Sequence, residues 1–184
     1  MGAYHTVAIH FPIALWMVSS LAIFIRVATD GPLGQAMDRA LKVFLVLGVL
    51  AGAVAWSLGI SIWPWETISS TPMGRNHMMM ASWSLAFFTL LAVTRFLQGD
   101  RIWQGASRWI MGLMALIGVI LVGITGTLGG HLHGSYTEVA EWLRLAGWEV
   151  YSTFYVPDGT IWLMLGVAVV ILGLAFLKLG KSEG

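Results

Sequence analysis

The chain contains no cysteine, and only 10% of its residues are charged. Without cysteine it forms no disulfide bonds, no thiolate metal centre and no cysteine-held iron–sulfur cluster. A bound metal would need histidine, methionine, carboxylate or backbone carbonyl ligands. A soluble domain carries about 25% charged residues, so the scarcity of charge indicates an integral membrane protein. The net charge of +1 and the lack of a basic cluster interleaved with aromatic residues argue against a nucleic-acid partner.

Five apolar runs are long enough to cross a bilayer core, which needs about 20 helical residues. They cover residues 6–27, 42–63, 78–97, 109–128 and 160–179. Between the first two runs, Asp30-Gly31-Pro32 is typical of a loop, which we expect over residues 29–39. The sequence predicts one all-α membrane domain over residues 1–184, with five transmembrane helices arranged as a four-helix bundle plus an extra C-terminal span.

The distribution of basic residues predicts the orientation, because cytoplasmic loops are enriched in lysine and arginine. With five spans, all the basic residues except Arg75 and Arg144 fall on one side. We therefore expect an outer N-terminus and a cytoplasmic C-terminus. No charged residue lies near the middle of a span, which argues against a buried carboxylate relay of the proton-pump type.

A short amphipathic helix is expected at the outer interface, around residues 136–148. Val139, Trp142 and Leu143 recur at helical spacing, and the acidic residues Glu138 and Glu141 take the opposite face. A helix of this kind lies in the interface with its apolar face toward the lipid. It would lie over any site at the outer end of the bundle.

All five histidines fall at the outer face in this topology, and they are His5, His10, His77, His131 and His133. Imidazole is the commonest metal-ligand side chain, and polar groups at membrane depth are costly and usually functional. The alternative for each histidine is an interfacial side chain that contacts headgroups or water. In that case the protein would be a non-redox accessory subunit.

A b-type haem needs two imidazoles from different helices. His10 precedes Pro12, so it lies where the first helix begins or kinks, and His77 lies at the head of the third span. These two histidines are the preferred axial pair, and His5 is the weakest candidate ligand.

Four further residues are candidates for the remaining haem contacts. His131 and His133 would serve a second haem or a propionate, and of this pair at most one is expected to point into the bundle. Haem also needs small residues where its ring meets a helix. Gly52 and Gly126 are candidates for that contact, and ordinary close helix packing is the more common reason for such glycines.

Copper is the competing metal. Met73 and the run Met78–Met80 flank His77, and thioether and imidazole ligands together favour Cu(I). Three consecutive methionines on a helix nevertheless point about 100° apart and cannot share one ion. The residues alone leave haem, copper and the accessory subunit as open alternatives.

Two segments resemble a bacterial membrane-protein family of unknown function, number 2231. Residues 4–15, YHTVAIHFPIAL, are similar to that family's HPxxVHFPIAL start, although Thr6 stands where the family has proline. Residues 126–134, GTLGGHLHG, are similar to its GxLGGxLV(Y)xHG ending. The resemblance covers most of residues 4–134. It implies a small helical bundle in the bacterial inner membrane that binds haem in a redox setting.

The combined expectation is a subunit that binds one or two haem b groups and transfers electrons at the outer, periplasmic face. Iron with two imidazole ligands has no open position, which favours electron transfer over oxygen chemistry. The expected redox partner is a quinone or an exported protein such as a periplasmic cytochrome. The chain would contact lipid and other subunits of a larger respiratory or photosynthetic complex, and it is not expected to be an enzyme alone.

Overall fold

The computed structural model describes residues 2–145 together with Gly147, Gly166 and Val170. The described helices are α1 (Gly2–Ala8), α2 (His10–Ala28), α3 (Pro32–Ile62), α4 (Trp65–Ser69), α5 (Pro72–Gln98), a 3₁₀ helix (Gly99–Trp103), α6 (Gly105–Leu132) and α7 (Glu138–Leu145). The fifth span expected at 160–179 lies outside the described residues, apart from Gly166 and Val170.

Within the described part, four helical segments are long and apolar enough to cross a membrane, and they are Tyr4–Ala28, Pro32–Ile62, Pro72–Trp103 and Gly105–Leu132. They form a bundle in which α2 and α5 each pack against both α3 and α6. Helices α2 and α5 are therefore diagonal to one another. The protein is an all-α, multi-pass membrane protein.

Helix α3 begins at Pro32, inside the segment that was expected to be a loop. The expectation of a loop over residues 29–39 was wrong, because proline is also favoured in the first turn of a helix, where its missing N–H would have no partner anyway. The turn is confined to residues 29–31, where the Gly31 amide donates to Thr29 Oγ1 at 3.1 Å. Helix α5 likewise begins at a proline, Pro72, and Thr71 Oγ1 caps it by accepting from the Gly74 amide.

The first span is interrupted at Ile9, between α1 and α2. Pro12 has no amide hydrogen to donate to the carbonyl oxygen of Ala8. The neighbouring ring of His10 donates from Nδ1 to the Thr6 carbonyl oxygen at 2.7 Å. This agrees with the expected start or kink of the helix near His10.

The core is centred on two stacked aromatic rings, Trp16 of α2 and Phe88 of α5, whose centroids are 4.8 Å apart. Gly48 and Gly52 of α3 make room for the indole, since a Cβ atom at either would lie within 3 Å of it. Small residues of this kind allow membrane helices to approach closely. The neighbour of Gly52 in this structure is thus Trp16.

A short helix is present where the interfacial helix was expected. Helix α7 packs against α6, with Ala140 buried and Leu143 partly buried against the cluster formed by Met80 and Leu128. Trp142 is exposed on the other side.

The two ends of the bundle differ in composition. The end formed by α1, the C-termini of α3 and α6 and the N-terminus of α5 carries the histidines, and we call it the histidine end. The opposite end carries Arg26, Arg95 and Arg108, and we call it the arginine end.

Candidate functional site

A cavity of about 270 Å³ lies at the histidine end, between α1, α3, α4, α5 and the C-terminus of α6. Its lining includes His5, Trp56, Gly59, Ile60, Trp63, Thr67, Thr71, His77, Met78, Ala81 and His133. The walls are mostly apolar, and three of the lining side chains are imidazoles.

His77 lies in the second turn of α5, and its ring is held by α6. Nδ1 is 3.1 Å from the Thr125 carbonyl oxygen, and because a carbonyl oxygen can only accept, Nδ1 carries the proton and donates it. Thr125 is anchored in turn, since its Oγ1 donates to the Leu121 carbonyl oxygen and lies 3.0 Å from Ser84 Oγ. One turn further along α6, a Cβ atom at Gly129 would lie 2.8 Å from Cε1 of His77.

His5 of α1 is held in the same way by α3. Its Nδ1 donates to the Ala55 carbonyl oxygen at 3.0 Å. One turn further along α3, a Cβ atom at Gly59 would lie 3.0 Å from Cε1 of the ring. Each imidazole therefore has a carbonyl oxygen of the neighbouring helix at Nδ1 and a glycine one turn further against its edge. We call each such arrangement a histidine cradle.

The two cradles recur about 70 residues apart, because His77 follows His5 by 72 residues and Gly129 follows Gly59 by 70. The same offset relates Trp16 to Phe88, which stack on each other, and Gly48 to Gly118, each of which makes room for one of these rings. Buried positions of α2 recur in α5 at this offset: Trp16, Ser19, Ser20 and Ile23 correspond to Phe88, Leu91, Ala92 and Arg95. The bundle thus consists of two similar helical hairpins, and His5 and His77 occupy equivalent positions in them.

His133 and His131 point in different directions, because residues two apart on a helix do not share a face. His133 is the C-cap residue of α6, is exposed, lines the cavity and donates from Nδ1 to the Gly129 carbonyl oxygen at 2.9 Å. His131 is buried inside α6, where its Nδ1 donates to the Thr127 carbonyl oxygen and its ring lies edge-on to Tyr136. It does not line the cavity.

Other residues chosen from the sequence also lie outside the cavity lining. His10 is exposed, and its ring bonds to the Thr6 carbonyl oxygen at the end of α1. Gly126 is exposed, with no atom within 4 Å of a Cβ built there, and Gly52 contacts Trp16. The pairing of His10 with His77 and the haem contacts of both glycines stay predictions. His5 lines the cavity together with His77, whereas His10 does not.

The methionines around His77 diverge. Met78 lines the cavity, whereas Met80 is buried in a separate apolar cluster against which Met73 and Met79 pack. Over the part of the chain that the structure describes, no three histidine, aspartate or glutamate side chains are grouped to hold one metal ion.

The fold and this cavity define the class of the protein, a multi-pass helical bundle with a histidine-lined cavity at one end. No protein-family model, curated protein or solved structure matches the chain. The cavity is therefore interpreted from its own geometry.

Proposed function

We propose that this protein is a haem b-binding membrane subunit that transfers electrons, with the iron held between His5 and His77. The observation that carries the proposal is the pair of histidine cradles. Donation from Nδ1 to a carbonyl oxygen leaves Nε2 of each ring unprotonated, which is the tautomer that ligates a metal. Two such imidazoles at equivalent positions of two hairpins match the ligand set of a bis-imidazole haem.

The cavity offers the donors and apolar walls of a haem site but not the volume of a whole macrocycle. Trp56, Ile60 and Trp63 supply apolar contact, and no side chain at Gly59 or Gly129 crowds the two rings. The volume of about 270 Å³ lies slightly below the range of about 300–1,000 Å³ that is usual for drug-sized ligands. The macrocycle would therefore be incompletely enclosed.

A bound haem supplies one-electron oxidation and reduction, and two imidazole ligands leave its iron without a position for oxygen. His5 and His77 would hold the iron, while the carbonyl oxygens of Ala55 and Thr125 orient the rings and raise their basicity. We infer electron exchange with a quinone or an exported redox protein, within a larger complex of a bacterial inner membrane. The excess of basic residues at the opposite end supports an outer location for the histidine end.

Absorption spectroscopy of the purified protein tests the proposal. We expect a reduced-minus-oxidised α band of b-type haem at one haem per chain. His5→Ala and His77→Ala should each abolish the bis-imidazole spectrum, because each removes one axial ligand. His10→Ala is the matched control, since that ring is exposed and outside the cavity, and it should keep the spectrum. A wild-type protein that shows no α band even after reconstitution with haem would overturn the proposal.

Copper remains the alternative metal, because Met78 joins the three imidazoles in the cavity lining. Metal analysis that finds copper without iron would favour it. If His5→Ala and His77→Ala change neither a cofactor nor the assembly of a complex, the accessory-subunit alternative is favoured instead.

A further inference from the structure

The arginine end carries three cations that no described acidic side chain neutralises. Arg39 and Arg101 are exposed and Lys42 is partly buried, and none of them forms an ion pair with a residue that the structure describes. The described acids at this end are bonded to other cations: Asp38 and Asp100 to Arg95, and Asp30 to Arg26 and Arg108. We call Arg39, Lys42 and Arg101 the unpaired cations.

The unpaired cations come from two elements that meet at one buried guanidinium. Arg95 Nη2 donates to Asp38 Oδ2 at 2.7 Å and to Asp100 Oδ1 at 3.1 Å, so both carboxylates lie against one nitrogen atom. Arg39 directly follows Asp38 in α3. Arg101 directly follows Asp100 in the 3₁₀ helix. The fold therefore brings cations that are distant in sequence to the same part of the arginine end.

Two of the unpaired cations stand above an apolar strip of α3. Arg39 and Lys42 are three residues apart, so their side chains are neighbours on the helix surface, where like charges repel one another. One and two turns deeper than Lys42, Val46 and Leu50 continue this side of α3 and are 40% and 59% exposed. Because α3 is long and apolar enough to cross a membrane, we expect the strip to face hydrocarbon.

We propose that the unpaired cations bind the head group of an anionic phospholipid. The lipid phosphate accepts hydrogen bonds from Arg39 and Lys42 and relieves their repulsion, and one acyl chain lies along Val46 and Leu50. Charge complementarity selects an anion, and the apolar strip selects one that carries a hydrocarbon chain. Such lipids are abundant in the cytoplasmic leaflet, toward which the basic residues are expected to face. This site is at the opposite end from the histidine cavity and does not depend on the proposed haem.

Native mass spectrometry of the delipidated protein in detergent tests this inference. Phosphatidylglycerol should bind more tightly than phosphatidylcholine of the same chain length. Lys42→Gln removes one charge above the strip and should lower the association constant for phosphatidylglycerol by roughly fivefold, equivalent to about 1 kcal/mol. Arg144→Gln is the matched control, because it removes one exposed charge at the histidine end and should bind phosphatidylglycerol like the wild type.

Three further measurements decide between a lipid site and its alternatives. Lys42→Arg keeps the charge and should keep the binding, which separates a loss of charge from damage to α3. Inorganic phosphate has the charge but no acyl chain, so it should compete only weakly, and displacement of the lipid at equal concentration would overturn the inference in favour of a free anion. Equal binding of the two lipids by the wild type would also overturn it, as would equal losses in Lys42→Gln and Arg144→Gln. The α band plays no part in this test, so its absence would overturn the haem proposal alone.

Discussion

The arginine end and the histidine end of the bundle use their polar groups in opposite ways. At the arginine end, Arg95 is only 1% exposed, donates to both carboxylate oxygens of Asp38 at 2.9 and 2.7 Å, and reaches Asp100 at 3.1 Å. Trp103 Nε1 also donates to Asp38. At the histidine end, each cradle satisfies one ring nitrogen and leaves the other available. The polar groups of the arginine end thus stabilise the fold, whereas those of the histidine end line a cavity.

Arg108 is a second cation at the arginine end whose hydrogen bonds are made within the protein. Its guanidinium donates to the carbonyl oxygens of Arg26 and Val27 and to Asp30 Oδ2. A cation at the C-terminus of a helix satisfies carbonyl groups that have no partner within the helix. This contact therefore ties the end of α2 to the start of α6.

The largest effect is expected from Asp38→Ala, which leaves the buried Arg95 charge without its bidentate partner. Removing one member of a buried ion pair costs about 3–5 kcal/mol, so the free energy of unfolding should fall by that amount. Denaturant unfolding in detergent measures it. Asp100→Ala is the control, because its side chain is 88% exposed and such pairs contribute about 0–1 kcal/mol. A loss of stability in His77→Ala as large as that in Asp38→Ala would break the contrast between the two ends.

A smaller effect is expected from Gly129→Ala, which places a methyl group 2.8 Å from Cε1 of His77. Overpacking of this kind costs about 1–3 kcal/mol, and it should also displace the ring and shift the haem spectrum. Gly126→Ala lies on the same helix with no atom within 4 Å of the new methyl group. It should be neutral or stabilise by up to about 1 kcal/mol through helix propensity. Thermal unfolding and absorption spectra compare the two, and equal behaviour would argue against the cradle.

The smallest effect concerns acid. Hydrogen bonds from Arg26 and Arg108 hold the pKa of Asp30 below its ordinary value of 3.8. Its carboxylate therefore stabilises the fold fully above that value, and the contribution is lost as the pH falls toward the lower pKa of the folded state. Because Asp30 is exposed, the loss should be small and weaker in high salt. Melting temperatures of wild type and Asp30→Asn should differ at neutral pH and converge in acid, and a constant difference would contradict this origin.

Much of the fold follows from patterns that are local in the sequence. Apolar runs of membrane-spanning length lie within the four described segments, and Pro12 correctly marks the break in the first one. The start of α3 was missed because proline after glycine is equally compatible with a turn and with the first turn of a helix. Only packing against the neighbouring helices distinguishes these two cases.

The main omission in the candidate site was His5. Local reasoning ranked it last because His10, five residues further along, is flanked by Pro12. Its counterpart His77, the glycines Gly59 and Gly129, and the stacked pair of rings all recur at the offset of about 70 residues. This spacing could have identified His5 as the counterpart of His77. Few of the matched positions carry identical residues, so the correspondence is recognised mainly from which residues are buried and which contact each other.

The sequence by itself determined that this is a helical membrane protein with its histidines near one face, because hydrophobicity and charge act residue by residue. The tertiary structure decided which imidazoles share a cavity. A ring's direction depends on the helix that packs against it, and both Ala55 and Thr125 are distant in sequence from the histidines they hold. The presence of His5 and His77 on the lining of one cavity therefore follows from the way the helices pack together.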